Sequence, residues 1–310
     1  MKVLVTGANG FLGFYLCKKL LDIGHEVVAT SRGNCRLPFN GTIGFSYLPL
    51  DLASEDQSST IIRQVSPDYI IHAAAMGKPD ECEEKKELAT QINSMGTFNL
   101  LQAASEKKIP FNYISTDFVF DGVAGNYSED AIRNPINHYG KTKLEAENWV
   151  EKYSSEWSIV RTVLVYGKPM TGRSNLLSIV HEKLNRGETY QVVDDQVRTP
   201  TFVEDLVTGI ISVMDKRAQG VFNICGEEVL TPYQMAIRTA SFLGLDASLL
   251  IRTLSSNFNQ PAKRPLITGL QIEKARSILG FSPSILKKVF AKLLMRPNSS
   301  LGCLRFAEGC

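Results

Sequence analysis

Short apolar runs rich in Val, Ile and Tyr recur along the chain at positions 2–5, 26–30, 69–72, 111–115 and 158–165, and segments of helical period lie between several of them. Strand alternating with helix predicts an α/β fold with a doubly wound parallel sheet. In the first helical segment, 11–23, Leu12, Tyr15, Leu16 and Leu20 fall near one face, and Gly24 is placed to cap its C-terminus. After about residue 166 the pattern changes to loops carrying Gly and Pro, a helix near 174–185, and short elements interrupted by Pro200, Pro232, Pro261 and Pro265. The expected organisation is a main domain over 1–165 with contributions from about 199–225, a smaller lobe from 166–198 and 226–300, and a frayed tail at 301–310.

Composition then removes several function classes. Of 310 residues, 44% are hydrophobic and 21% charged, the make-up of a globular and not a disordered chain. The 34 Lys and Arg against 32 Asp and Glu leave a net charge of +2, too little to draw in nucleic acid or an acidic membrane, so anion recognition must be local. Roughly ten Lys or Arg against two acids over 252–310 form a local exception, either a solvated face or a site for an anionic ligand. Six cysteines, at 17, 35, 82, 225, 303 and 310, show no Cys-x-x-Cys pair and no clustering with the four histidines. No metal site is expected, and the thiols suit a reduced, cytoplasmic protein. No signal-peptide core follows Met1 and no apolar run reaches 18 residues, so neither export nor a membrane span is expected.

Gly7-Ala8-Asn9-Gly10-Phe11-Leu12-Gly13 lies between the first predicted strand and the first predicted helix, the context that makes a glycine pattern a dinucleotide-binding turn. The first glycine permits a tight turn, the second lets a pyrophosphate approach the backbone, and the third lets the helix lie close on the sheet. Unpaired N–H groups at the helix N-terminus face the anion. The expected sheet is therefore of the Rossmann type. At the end of the second strand, where an acid usually holds the ribose 2′-hydroxyl, the chain reads Thr30-Ser31-Arg32. Ser31 and Arg32 suit a 2′-phosphate and hence NADP(H). Read as an ordinary surface arginine, Arg32 leaves NAD(H) open.

Tyr139 and Lys143 stand at i and i+4, so on a helix they project from one face. Asn134-Pro135 just upstream suits a helix start, and Ser115-Thr116 ends the strand 111–115, where α/β sheets place their ligands. Reducing a ketone leaves developing alkoxide charge, and a phenol beside it can donate a proton as hydride arrives. A free phenol titrates at about 10, too high for easy shuttling, and a nearby ammonium lowers it. Lys143 also suits the nicotinamide ribose, and Thr116 would hold the carbonyl oxygen.

These residues resemble the extended short-chain dehydrogenase/reductase family, and within it the dTDP-4-dehydrorhamnose reductases, from Met1 to about Phe281. The likeness rests on the glycine turn, on His72-Ala73-Ala74-Ala75 with Asp80 and Asn93, on the run from Ser115 to Gly122, and on Asn137 to Leu144. It continues through Arg161-Thr162, Tyr166-Gly167, Asp195-Gln196, Pro200-Thr201 and Arg264-Pro265-Leu266. The resemblance implies reduction of a 4-keto-6-deoxy sugar carried on a nucleoside diphosphate, with Thr116, Tyr139 and Lys143 catalytic. It implies that Asp51 and Leu52 flank the adenine, that Ala73, Ala74 and Ala75 line the cofactor, and that Asn93 joins them.

Met76, Asp117, Phe118, Arg198 and Arg264 fall on the substrate side of that family's site. Met76 stands where the family usually has Tyr, and Val163-Leu164 where it has Ser-Trp. Arg198 replaces a common Gly; Arg198 and Arg264 are expected either to take the diphosphate or to be structural ion-pair partners. Phe118 follows Asp117 where the family's dehydratases carry an acid, which disfavours water loss. Two other functions remain on the same frame: a sugar-nucleotide 4-epimerase, and a cofactor-binding regulatory subunit like that of methionine adenosyltransferase. Self-association as a homodimer is left open. His138 reads as a helix-start residue, and Trp149 and Trp157 as packing residues.

Overall fold

The computed structural model describes residues 1–170 and 174–294; the expected tail at 301–310 lies outside the described residues. In chain order its elements are β1 (Lys2–Thr6), α1 (Phe11–Asp22), β2 (Glu26–Ser31), β3 (Phe45–Pro49), α2 (Glu55–Val65), β4 (Tyr69–His72), α3 (Pro79–Glu84), α4 (Lys86–Thr90), α5 (Gly96–Ser105) and β5 (Phe111–Thr116). There follow α6 (His138–Glu151), β6 (Trp157–Thr162), β7 (Val165–Tyr166), α7 (Leu176–Asn185), β8 (Tyr190–Val193), β9 (Thr201–Phe202), α8 (Val203–Asp215), β10 (Gly220–Asn223), α9 (Pro232–Leu243), β11 (Leu250–Thr253) and α10 (Leu286–Leu294). Seven parallel strands form the central sheet in the order β10-β6-β5-β4-β1-β2-β3. This is the Rossmann-like, doubly wound arrangement expected from the alternation of strand and helix.

The apolar runs lack a polar alternation because both faces of the sheet are covered. Val3 and Val5 of β1 face the core shared with α1, α8 and α10, while Leu4 between them faces the core shared with α2, α5 and α6. Every residue of β4 and β5 is buried. A third, separate cluster of Val180, Leu184, Val192, Ala236, Ala240 and Leu250 lies among α7, α9 and the β8–β11 pair.

Two expectations change. The strand expected over 158–165 breaks after Thr162, because Leu164 adopts φ +34°, a left-handed conformation no strand residue takes. Residues 270–290, assigned to the lobe, pack instead on the main core through Leu270, Ile272, Leu279, Phe281, Val289 and Phe290.

Helix α6 is tied to the sheet by charge as well as by packing. Glu147, fully buried, accepts from Arg161 of β6 through Nε at 2.9 Å and Nη2 at 2.8 Å, and from Arg133 at 2.9 Å. Burial pushes the Glu147 carboxyl up, but Arg161 outweighs it and holds the group below the usual carboxylate range. Removing one partner leaves the other buried and uncompensated. Glu147→Ala is expected to cost about 3–5 kcal/mol in urea unfolding; a loss within ordinary surface-mutant scatter would show that the pair does not hold the helix.

Candidate active site

Gly7 adopts φ +70°, and a Cβ there would lie 2.7 Å from the Ala74 backbone; at Gly13 it would lie 2.3 Å from the Gly7 carbonyl. The turn is thus closed to any side chain at two of its three glycines. Phe14 N–H is the first in α1 to find a helical acceptor, Gly10 C=O at 3.0 Å. The N–H groups of Phe11, Leu12 and Gly13 have none among the described residues. A cradle that a Cβ would fill, lined by free N–H donors, fits a dinucleotide pyrophosphate.

Asn9 is 2% exposed and serves the loop beside the turn. Its amide nitrogen donates to the Asn34 carbonyl at 2.9 Å and its oxygen accepts from Arg36 N–H at 2.9 Å. The Tyr47 hydroxyl meets the Gly33 carbonyl at 2.7 Å and the Ser31 carbonyl at 3.0 Å. These bonds fix the loop from the half-buried Ser31 onward and leave Arg32 and Arg36 both exposed on it, beside the glycine turn. Asn9, expected on the cofactor, positions this loop instead.

Beneath the turn runs a buried chain of hydrogen bonds. The Thr97 hydroxyl donates to the Asn93 carbonyl at 2.6 Å, so His72 Nε2, 3.0 Å away, carries the imidazole hydrogen. His72 Nδ1 then accepts from Thr6 at 2.6 Å, and Thr6 accepts from Ala74 N–H at 3.2 Å. Burial, with Lys143 nearby, lowers the imidazole to about 3, so the ring stays neutral. The chain holds the Ala74 backbone beneath the glycine turn, where Ala73 and Ala74 are half-buried and Ala75 is exposed.

Lys143 lies 2% exposed on α6, its ammonium donating to the Ile114 carbonyl at 2.8 Å and standing 4.1 Å above the Tyr113 ring. Burial lowers its pKa to about 7, against the pull of Glu147 one turn further along. Tyr139, one turn before it, is half-buried, with its ring edge-on to Phe118 at 5.8 Å. Helix α6 approaches the end of β5 closely because residue 140 is glycine: a Cβ there would lie 2.1 Å from the Phe118 carbonyl. Asn137 caps the helix by accepting from Gly140 N–H at 2.8 Å. His138 joins it to α3 and α4 through Glu83, Thr90 and the Lys86 carbonyl.

Several expected contacts turn inward. Asn93, 1% exposed, accepts from Met76 N–H at 2.7 Å and donates to the Met76 carbonyl at 3.2 Å and to Thr142 at 3.0 Å, so its side chain holds the half-buried Met76. Leu52 is buried against Gly96, leaving Asp51, whose carboxylate accepts from Ala53 N–H at 3.0 Å, at the surface end of β3. Asp117 is 3% exposed and faces the interior, not a substrate.

Arg198, 4% exposed, gives its Nη1 and Nη2 to the Val197, Leu266 and Pro265 carbonyls and to Gln196, with Asp117 3.9 Å from Nε. It therefore takes the structural role, not the diphosphate role. Arg264 is bidentate to Asp80, at 3.0 and 2.6 Å, and holds that carboxyl below its usual range. In this pairing it too is a structural partner, joining the 262–270 segment to α3. Sequence reading missed Arg36, His72 and Glu147. His72 was visible only as the first residue of the His-Ala-Ala-Ala run, with no role assigned, and Glu147 carried one signal, its i+4 spacing from Lys143.

An open dinucleotide cradle beside a Tyr–Lys pair at the C-terminal edge of a parallel sheet defines a nucleotide-cofactor oxidoreductase site. The chain belongs to the RmlD substrate binding domain family, matched over residues 1–297, a family of sugar-nucleotide reductases and epimerases. It is 31% identical to a dTDP-4-dehydrorhamnose reductase from Clostridium acetobutylicum, whose crystal structure superposes with a TM-score of 0.83 over 94% of this chain and 98% of that one. The Bacillus anthracis dTDP-4-dehydrorhamnose reductase, solved in complex with NADP, is 26% identical, with a TM-score of 0.79 over 94% and 98% of the two chains. Methionine adenosyltransferase 2 subunit beta of Bos taurus is 31% identical over 270 residues, 85% of this chain and 78% of that protein. Among the described residues no group of side chains could hold a metal ion, and no helix is long and apolar enough to cross a membrane.

The buried Lys143 sets a pH dependence whose sign is fixed. With a folded pKa of about 7 and an unfolded value of about 10.4, the unfolded chain binds the extra proton between those limits. Its contribution to stability is full above about pH 10 and is lost as pH falls through about 7. In the ligand-free protein, the stability of wild type relative to Lys143→Met is expected to rise between those limits when followed by urea unfolding. Parallel pH curves for the two proteins would contradict the assignment.

Proposed function

We propose that the protein is an NADPH-dependent reductase of a 4-keto-6-deoxy sugar carried on a nucleoside diphosphate. The observation that carries this reading is the seating of Lys143 against β5, one turn from Tyr139, beside the open glycine turn. A bound reduced nicotinamide supplies the hydride. Tyr139 gives its phenolic proton to the carbonyl oxygen, and the Lys143 ammonium favours the phenolate left behind. The N–H groups of Phe11, Leu12 and Gly13 hold the pyrophosphate, and Asp51, Ala73, Ala74 and Ala75 border the cofactor. Thr116, at the end of β5, sits beside the reacting oxygen.

Two exposed guanidiniums, Arg32 and Arg36, on a loop fixed by Asn9 and Tyr47 support a 2′-phosphate and so NADPH over NADH. The NADP in the Bacillus anthracis relative supports the same choice. The presence of both Tyr139 and Lys143 supports turnover over a purely regulatory, cofactor-binding role.

Incubation with a thymidine diphosphate 4-keto-6-deoxyhexose is expected to consume NADPH stoichiometrically; isomerised sugar with no net loss of absorbance would make the protein an epimerase. Tyr139→Phe is expected to keep NADPH binding while turnover falls at least ~100-fold, the scale of a lost general acid. Arg32→Ala combined with Arg36→Ala is expected to raise the KM for NADPH about 10-fold and leave that for NADH unchanged; equal effects on both cofactors would reject the 2′-phosphate role.

A further inference from the structure

Thr116 has one hydroxyl proton and two lone pairs, and the structure accounts for the proton and one lone pair. The hydroxyl donates to Asp117 Oδ1 at 3.1 Å and accepts from Phe118 N–H at 3.2 Å, capping the turn that follows β5. What is left is a lone pair. Asp117 is surrounded by donors only: Thr116 on one oxygen, the Thr268 hydroxyl on the other, and the Arg198 guanidinium 3.9 Å away. With two hydroxyls donating to its two oxygens and a cation beside it, the carboxyl serves its partners as an acceptor. Burial pushes its pKa up, and Arg198 is the charge that opposes this.

The ring is closed from a distance in sequence. The segment 262–270 is fastened to the catalytic platform along its length: Ala262 N–H and Arg264 to Asp80, Lys263 C=O to Asn137, Ile267 N–H to the Gly122 carbonyl at 3.0 Å, and Thr268 to Asp117. Arg198 in turn accepts its position from the carbonyls of Pro265 and Leu266.

We propose that Asp117 is a positioning residue for the reaction: it takes the Thr116 proton, so that Thr116 presents an acceptor, not a donor, to the reacting oxygen. This rests on reading the site as a keto-sugar reductase, and it changes the role expected of Thr116. A ketone oxygen has no hydrogen to offer that lone pair, whereas the product alcohol does. Thr116 therefore favours the alcohol, and the ketone receives its hydrogen bond from Tyr139.

Asp117→Asn reverses the arrangement. With Arg198 opposite, the amide oxygen turns to the guanidinium and the amide nitrogen donates to Thr116, releasing the threonine proton toward the substrate. Two dead-end complexes read the consequence calorimetrically: the thymidine diphosphate 4-keto-6-deoxyhexose with the NADP⁺-loaded protein, and its 4-hydroxy reduction product with the NADPH-loaded protein. In Asp117→Asn the ketone gains the threonine donor and the alcohol loses the threonine acceptor, so the ratio of alcohol affinity to ketone affinity is expected to fall at least ~10-fold, the scale of one well-placed hydrogen bond.

The pair Asp117→Asn with Arg198→Gln removes both buried charges together and leaves neither uncompensated, so it guards against a folding failure. There the Thr268 hydroxyl, the donor to the far carboxylate oxygen, still draws the amide oxygen to its side, so the same fall in the ratio is expected. An alcohol-to-ketone affinity ratio that stays at the wild-type value would overturn the proposal. A melting-temperature cycle of Thr116→Val, Asp117→Asn and the double variant tests the hydrogen bond in the ligand-free protein. Non-additive shifts support the Thr116–Asp117 link and additive shifts overturn it, whatever sugar is reduced. Wild-type protein that binds neither sugar while the cycle remains non-additive would reject the reductase reading and leave the link supported.

Discussion

One buried cation, Lys143, constrains how the rest of the site is built. An ammonium at 2% exposure loses nearly all its hydration, and this burial lowers its pKa to about 7. The replacement comes from the Ile114 carbonyl, the face of the Tyr113 ring, and the Glu147 carboxylate one turn along α6. Glu147 must then be buried as well, and it is neutralised by Arg161 and Arg133. Arg161, at 1% exposure, gives its last Nη to the Glu129 carbonyl and lies over Phe120. The interior behind the active site is thus an alternation of charges that starts at the residue chemistry needs and stops where partial exposure returns at Arg133.

That requirement explains why α6 is fixed so firmly. Moving the helix would separate Lys143 from β5 and Glu147 from β6 at once. Its first turn is held by the Asn137 cap, by His138 on α3 and α4, and by contact of Gly140 with the Phe118 carbonyl. Tyr139 lies inside this clamped turn. Its ring is therefore placed by three elements of different origin, the β5 end, the α3–α4 corner and α6 itself.

The cofactor half of the molecule was legible in the sequence because its determinants are local. A strand, three glycines and a helix are contiguous, and the Tyr–Lys spacing is one helical turn; periodicity and spacing report such features directly. What failed involved partners far along the chain. Asn93 and Asp117 look like ligands in a motif, yet their side chains turn to Met76 and to Thr268, which no local pattern reveals. Arg198 and Arg264 were correctly seen as cations in need of anions or carbonyls, but either fate remained open until Asp80, Asp117 and the 262–270 segment were placed. Leu164 shows a third kind of failure: nothing in Val-Leu-Val signals a left-handed residue, so a broken strand reads as a continuous one.

The same contrast separates cofactor from substrate. The glycine turn tolerates almost no variation, since two of its three glycines face backbone at distances no Cβ survives. The wall proposed to face the substrate is assembled from the β5 turn, the loop at Val163–Leu164, the strand entry at 196–201 and the 262–270 segment, joined by hydrogen bonds between residues 38 to 151 positions apart. Such a wall can be re-shaped by changing one exposed side chain without disturbing the fold. Leu164, 38% exposed at the C-terminal edge of the sheet, two positions past the residue paired with Thr116, is such a position. A fold of this kind therefore states its cofactor chemistry in its first strand and helix, and leaves the identity of the sugar to contacts that only the assembled chain creates.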